Sequence, residues 1–313
     1  MGRPRGRATD RHGEGPDECQ TKGGDMGAEQ GGSAAGGAVG GRGDNRGDDD
    51  NTVDIAALTD AATGVITLAG IHNFRDVAGP GYPVSSGGTM ARGIVFRSAA
   101  ISATDGDVGV LEKLGVATIV DLRTEGEVAQ QPDVPVPGAQ NIEVDILQGN
   151  STAATLMNSG IVQVEDARRE MALTYERFVT GADERRAFGR AVEAVAASSG
   201  ASIVHCTAGK DRTGWISATL QLLAGVSHED VVANYLITRE TSKDLSEAIM
   251  QYVRVKMPHQ ADAIEVLLGV EESNIRRSLE LLDSEFGDIQ TYLTQGAGVD
   301  AAVVDALGAR LRG

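Results

Sequence analysis

Ser202-Ile203-Val204-His205-Cys206-Thr207-Ala208-Gly209-Lys210-Asp211-Arg212-Thr213-Gly214 is the stretch on which the reading of this sequence turns. After Gly200, the run Ser202 to His205 has the length and apolar character of a short buried strand. From Thr213 or Gly214 a helical pattern runs to about Ala224, and Gly225 suits the C′ position that closes a helix. Between strand and helix lies a tight loop in which five residues, small ones among them, separate Cys206 from Arg212. A loop of this kind turns several backbone N–H groups inward, forming a nest for an oxyanion. The following helix start adds partial positive charge at the same spot.

The residue types in the loop fit phosphate chemistry. Arg212 has the planar fork that holds two oxygens of a phosphate, and Gly209 lets the backbone turn without a Cβ clash. An ordinary thiol, with a pKa near 8.5, is only about 3% thiolate at neutral pH; this setting is expected to raise the reactive fraction of Cys206 up to roughly 30-fold. Phosphoryl transfer asks mainly for in-line positioning and charge stabilisation, and a covalent thiophosphate would divide it into two steps. Asp211 is the nearest carboxyl and the first choice for general acid, with Asp145 and Asp121 as weaker alternatives. Thr207, Ala208, Gly209, Lys210, Thr213 and Gly214 are the expected substrate-binding positions, Lys210 toward a further anionic group and Thr213 toward the sulfur. Each has a plainer alternative: Cys206 as a small buried hydrophobe, Asp211 as a loop brace, Lys210 as a solvated charge. His205 reads as an orienter of the loop. Gly209-Lys210 does not open a nucleotide P-loop, because Val204 stands where its first glycine belongs and Asp211 where Ser or Thr belongs.

Outward from the loop, Gly93 to Ala99 (GIVFRSA) and Val116 to Leu122 (VATIVDL) read as strands, and the alternation of Ile142, Val144 and Ile146 marks another over Asn141 to Leu147. Gly115 stops a helix ending near Leu114. Helical spacing recurs over Asp166 to Val179 and Asp183 to Ser198. Ser227 with Asp230 resembles a capping box opening a helix through Arg239. The segment from Lys243 to Arg312 reads as several helices broken at Pro258, Gly269, Gly287 and Gly296. Strands alternating with helices, then a helical run, predict an α/β fold with a parallel sheet and additional C-terminal helices.

The whole chain of 313 residues carries a formal net charge of −17 and is 41% hydrophobic. Residues 1–52 contain 15 of the 41 glycines and a single branched aliphatic residue, Val39, so they are expected to form a disordered tail ahead of one domain over 53–313. The tail holds seven basic and ten acidic residues, which leaves −14 on the rest and disfavours nucleic acid as a partner. No secretory signal or transmembrane segment is visible, and Cys19 and Cys206 make no disulfide framework. A cytoplasmic setting is the expectation, with export by an unconventional route left open. Five scattered histidines without ligand spacing argue against zinc, and no cofactor is expected.

The run HCTAGKDRTG (His205 to Gly214) resembles the signature loop of the cysteine-based phosphatases. The likeness is to the bacterial tyrosine-protein phosphatases, typified by a mycobacterial enzyme. Further matching stretches are Asn73-Phe74-Arg75-Asp76-Val77-Ala78, Val95-Phe96-Arg97-Ser98-Ala99, Val120-Asp121-Leu122-Arg123 and Phe286-Gly287-Asp288-Ile289, spread in the same order over roughly 70–313. The resemblance implies the cysteine-phosphatase (phosphotyrosine protein phosphatase II-like) fold and hydrolysis of phosphotyrosine. It implies Cys206 as nucleophile, Arg212 as phosphate ligand and Asp211 as acid. Members with Lys and Asp in the loop often accept phosphoserine, phosphothreonine or phosphoinositides as well, so the expected substrate is a phosphorylated protein or, alternatively, a phosphoinositide. Arg75, Asp76 and Arg123 are expected to form ion pairs around the loop. Thr207 departs from the aromatic residue of the close relative, and the helices of Ser227–Leu268 are expected to cover the site.

Overall fold

In the computed structural model, residues 54–150 and 163–313 are described; the expected tail over 1–52 lies outside them. Five strands make one sheet: β1 (Arg75–Asp76), β2 (Val95–Ser98), β3 (Val116–Asp121), β4 (Gln140–Glu143) and β5 (Ala201–His205). Their order is β1-β2-β5-β3-β4, parallel throughout except for β1, which pairs antiparallel with β2.

Both faces of the central strands are apolar, because both are covered. On one face Phe96, Val116, Ile119 and Ile203 join Ile71, Phe74 and Leu111. On the other, Val95, Val120 and Val204 pack into the larger core. That core is supplied by α4 (Val164–Thr180), α5 (Ala182–Ala197) and α6 (Asp211–Ala224), after the shorter α1 (Ile55–Leu58), α2 (Asp105–Lys113) and α3 (Glu125–Gln130). In α4, Met171, Tyr175 and Phe178 form the buried stripe that the helical spacing called for, and Thr174 is buried beside them. Helix α6 is different: twelve of its fourteen residues are buried, so it runs through the middle of the core without a polar face. Gly225 closes it in the left-handed conformation, as expected.

The remainder is helical: α7 (His228–Leu236), α8 (Thr238–Thr241), α9 (Lys243–Lys256), a 3₁₀ turn at Pro258–Gln260, α10 (Ala261–Leu268), α11 (Glu272–Phe286), α12 (Ile289–Thr291), a π turn over Tyr292–Gly296 and α13 (Ala301–Arg312). The breaks fall at the glycines and the proline named from sequence. Among the described residues no helix is long and apolar enough to cross a membrane.

Four local expectations are corrected. Strand β4 stops at Glu143 rather than Leu147, because the Asp145 carboxylate accepts from the N–H groups of Leu147 and Gly149 and bends the chain into a turn. Helix α6 begins at Asp211, where Gly214 N–H already reaches the Lys210 carbonyl at 2.7 Å. The helix capped by Ser227 ends at Leu236, not Arg239. Strand β1 makes the sheet mixed rather than wholly parallel.

Candidate active site

The carboxyl ends of β2, β3, β4 and β5 open on one side of the sheet, the position where open α/β sheets bind ligands. The segments leaving those ends line a cavity of about 430 Å³: Ala99 and Ala100 after β2, Glu127 on α3, Leu147 after β4, and the loop after β5. Met171 and Phe178 on α4 form an apolar wall, and Leu245 and Ile249 on α9 with Leu267 and Leu268 on α10 cover it. Part of the expected cover, its α9 and α10 portion, is therefore in place.

The loop is built with its carbonyls outward. Thr207 O accepts from Ala100 N–H at 3.1 Å. The Asn73 side-chain amide donates to Ala208 O and Gly209 O at 3.3 and 2.8 Å, and Arg97 Nη2 donates to Gly209 O at 2.9 Å. Among the described residues the N–H groups of Thr207 through Arg212 have no hydrogen-bond acceptor. Turning the carbonyls out leaves the amides for an anion. Asn73 holds its own backbone at φ 57°, a left-handed geometry that asparagine tolerates better than most residues. Gly209, at φ 67°, fits only without a side chain: a Cβ there would lie 2.3 Å from the Ser98 carbonyl oxygen.

Cys206, 3% exposed, lies at the cavity wall beside Arg212. Arg212 is fixed by Glu127, Nη1 to Oε2 at 2.7 Å and Nη2 to Oε1 at 2.8 Å, and by the Leu122 carbonyl at 3.2 Å. Burial favours the neutral form of Glu127, but the Arg212 guanidinium outweighs it and draws the pKa down to about 2. Burial opposes the charge of Arg212 as well; neighbouring Cys206 and Glu127 more than offset this, and its pKa rises. Thr207 Oγ1 donates to the same carboxylate at 2.6 Å. Glu127 was not among the expected site residues. Its only sequence signal is the capping box it makes with Thr124 at the start of α3.

Asp211 faces the cavity with its carboxylate held by two donors. Tyr175 Oη donates to Oδ1 at 2.8 Å, and Lys210 Nζ lies 3.1 Å from Oδ2. Burial and the charge of Asp211 push the Tyr175 phenol well above its ordinary pKa, so it stays a donor. The Tyr175 and Tyr235 hydroxyls meet at 2.6 Å. Lys210 lines the cavity, but its ammonium donates to the carbonyls of Leu267 at 2.6 Å and Gly269 at 2.9 Å.

Of the expected substrate-binding positions, Thr207, Ala208 and Lys210 reach the cavity wall; Gly209, Thr213 and Gly214 do not. Gly209 lies against the Ser98 backbone and Gly214 against the Tyr235 ring, while Thr213 is fully buried in the first turn of α6. Neither Asp145 nor Asp121 lines the cavity.

Behind the loop, Arg123 Nη2 lies 2.7 Å from Asp121 and 2.8 Å from Asp133, and His205 Nε2 is 3.2 Å from Asp133. His205 Nδ1 contacts the Cys206 carbonyl at 3.2 Å, so this network reaches the loop from beneath. Burial would raise the Asp133 pKa, yet His205 holds it low. Asp121, Asp133 and His205 place three potential metal-ligand atoms within 4.8 Å of one another, where the Arg123 guanidinium already supplies positive charge. The expected ion pairs exist for Arg123 and, loosely, for Asp76, 3.9 Å from Arg92. Arg75 makes none among the described residues: it is bound by Asn73, the Asn234 carbonyl and Thr238 Oγ1.

The model of the tyrosine phosphatase family matches residues 66–313. The triple specificity protein phosphatase PtpB of Mycobacterium tuberculosis is 29% identical over 280 residues, covering 79% of this chain and 97% of the relative. A putative tyrosine-protein phosphatase of Cupriavidus necator is 26% identical, covering 74% and 84%. A tyrosine-protein phosphatase of Nostoc commune is 31% identical, covering 58% and 66%. Among solved structures, P. aeruginosa TpbA aligns over 60% of this chain and 85% of its own at 17% identity and a TM-score of 0.23, too loose a superposition to bear on the fold.

Proposed function

Because this chain belongs to the tyrosine phosphatase family, and is thereby a phosphoric monoester hydrolase, we propose that it hydrolyses phosphotyrosine through a phosphate ester of Cys206. The observation that carries this reading is the convergence of unpartnered loop amides, the Arg212 fork and the Cys206 sulfur on one cavity. Of the five N–H donors of Arg212, Glu127 takes two and the Leu122 carbonyl one, which leaves two for phosphate oxygens.

In the first step the Cys206 thiolate attacks phosphorus, the P–O bond to the phenol breaks, and Asp211 in its acid form gives its proton to the leaving oxygen. In the second, water attacks phosphorus, Asp211 takes the water proton, and the P–S bond breaks to release inorganic phosphate and the thiolate. The amides and Arg212 stabilise the spread negative charge of both transition states. The apolar wall of Met171, Phe178, Leu245 and Ile249 suits an aromatic ring. The mycobacterial relative is described as a triple specificity protein phosphatase, which supports a range wider than phosphotyrosine alone.

A phosphoinositide is the second reading, in which Lys210 is an additional phosphate contact. The ammonium here meets two carbonyls and a carboxylate, which accounts for its three hydrogens and favours the phosphotyrosine reading. Two measurements test the proposal. Cys206→Ser is expected to abolish turnover of an aryl phosphate while phosphate esters still bind; near-wild-type turnover in that variant overturns it. A phosphotyrosine peptide is expected to exceed a soluble inositol phosphate in kcat/KM, and the reverse order selects the second reading.

A further inference from the structure

Two guanidinium groups lie side by side behind the loop with no acid to balance them. Arg75 on β1 and Arg97 on β2 are register partners across the antiparallel pair, and both are completely buried. Among the described residues neither has a carboxylate within ion-pair distance, and the Nε of each has no partner. Arg97 donates from Nη2 to the Gly209 carbonyl at 2.9 Å and from Nη1 to Asn234 Oδ1 at 3.3 Å. The other two buried arginines at the site, Arg123 and Arg212, both have acid partners. A buried cation without a counter-ion is expensive. Its natural balance at this place is an anion that arrives or forms on the far side of the loop.

Arg97 faces that side more directly than Arg75. Its two donor contacts bridge Asn234 on α7 and the loop itself, whereas Arg75 is tied to Asn73 and to the α7–α8 backbone and hydroxyl. Burial draws the Arg97 pKa down to about 10, with nearby Cys206 acting against the fall, so the group remains a cation at neutral pH.

We infer that Arg97 is a positioning residue for the reaction at Cys206: from behind the loop it turns the Gly209 carbonyl away from the phosphate and supplies the buried positive charge that thiolate and phosphate balance. The inference rests on Cys206 being the nucleophile and adds a cation that never touches the substrate. A bracing role alone would alter the loop's shape; a charge role alters the electrical potential at the sulfur.

Alkylation of the full chain separates the two. Iodoacetate is anionic and iodoacetamide neutral, so the ratio of their inactivation rates at Cys206 reads how favourably the site receives negative charge, and a variant that keeps the charge while altering the brace tells charge from shape. Arg97→Gln is expected to lower that ratio about tenfold, the order expected of one partly screened charge nearby, and to weaken competitive inhibition by inorganic phosphate. Arg97→Lys keeps the charge and is expected to hold the ratio within about twofold of the unsubstituted protein; it carries the test if the glutamine variant does not fold. An unchanged ratio in Arg97→Gln, or an equal loss in Arg97→Lys, overturns the inference. Retention of turnover by Cys206→Ser sinks the nucleophile assignment instead, so the two failures are distinct.

Discussion

Arg212 and Glu127 meet as a two-point ion pair, 2.7 and 2.8 Å, across 85 residues of sequence. The pair decides which way the guanidinium fork points, and therefore where the phosphate oxygens go. Glu127→Ala is expected to reduce kcat/KM by about 100-fold, the scale of a misplacement near 1 Å. Glu127→Gln, which keeps hydrogen-bonding atoms without the charge, is expected to lose less. Steady-state kinetics on an aryl phosphate check both, and equal losses would show that the carboxylate charge alone, with no share from neutral hydrogen bonding, aligns the fork.

The same pair sets an acid limit on stability. Glu127 titrates at about 2 in the folded chain and near its ordinary value of 4.5 when unfolded. A depressed folded pKa contributes stability above the unfolded value and loses it as pH falls through the interval from 4.5 to 2. Asp76 works in the opposite sense: burial raises it to about 6, so its contribution is complete below its ordinary 3.8 and is lost as pH rises toward 6. Urea midpoints between pH 2 and 4.5 are therefore expected to fall less steeply in Glu127→Gln than in the unsubstituted protein. Parallel curves would remove Glu127 as the cause.

Asp211→Asn is expected to slow alkyl phosphates by about 10²- to 10⁴-fold and aryl phosphates with good leaving groups much less, since only poor leaving groups need the proton. Equal losses on both classes would assign Asp211 to bracing the loop.

Tyr175→Phe removes the hydroxyl that orients Asp211 and leaves the Tyr235 hydroxyl without its partner at 2.6 Å. A smaller loss with the same leaving-group dependence is expected, together with a stability cost of about 1–2 kcal/mol. A loss independent of the leaving group would break the link to Asp211.

Gly209→Ala forces a Cβ to 2.3 Å from the Ser98 carbonyl at a φ of 67°. It is expected to abolish competitive inhibition by inorganic phosphate and to destabilise the chain by at least about 2 kcal/mol. Retained phosphate affinity would mean that the loop adapts.

The strand, loop and helix that place Cys206 and Arg212 were legible because their signals are local: an apolar run, a tight C-x₅-R spacing and a terminal glycine. Helix α4 was legible from spacing alone. What could not be read were partners distant in sequence. Nothing near Glu127 announces Arg212, and Tyr175 looks like one more member of an apolar stripe until the fold brings it to Asp211, 36 residues on. Strand β1 has two residues, too few for any periodicity to show, and its register against β2 is what sets Arg75 beside Arg97. Arg97 sat within a recognisable stretch, but charge next to a strand core carries no sign of whether an acid will meet it.

The two borders of the sheet are β1, two residues long, and β4, four residues long. Exposed strand borders are where foreign backbones dock and where ordered aggregates begin. With its long members β3 and β5 flanked on both sides, this sheet presents only stubs to a passing chain. Among the described residues, edge-on pairing with a second copy would therefore have little free strand backbone from which to start.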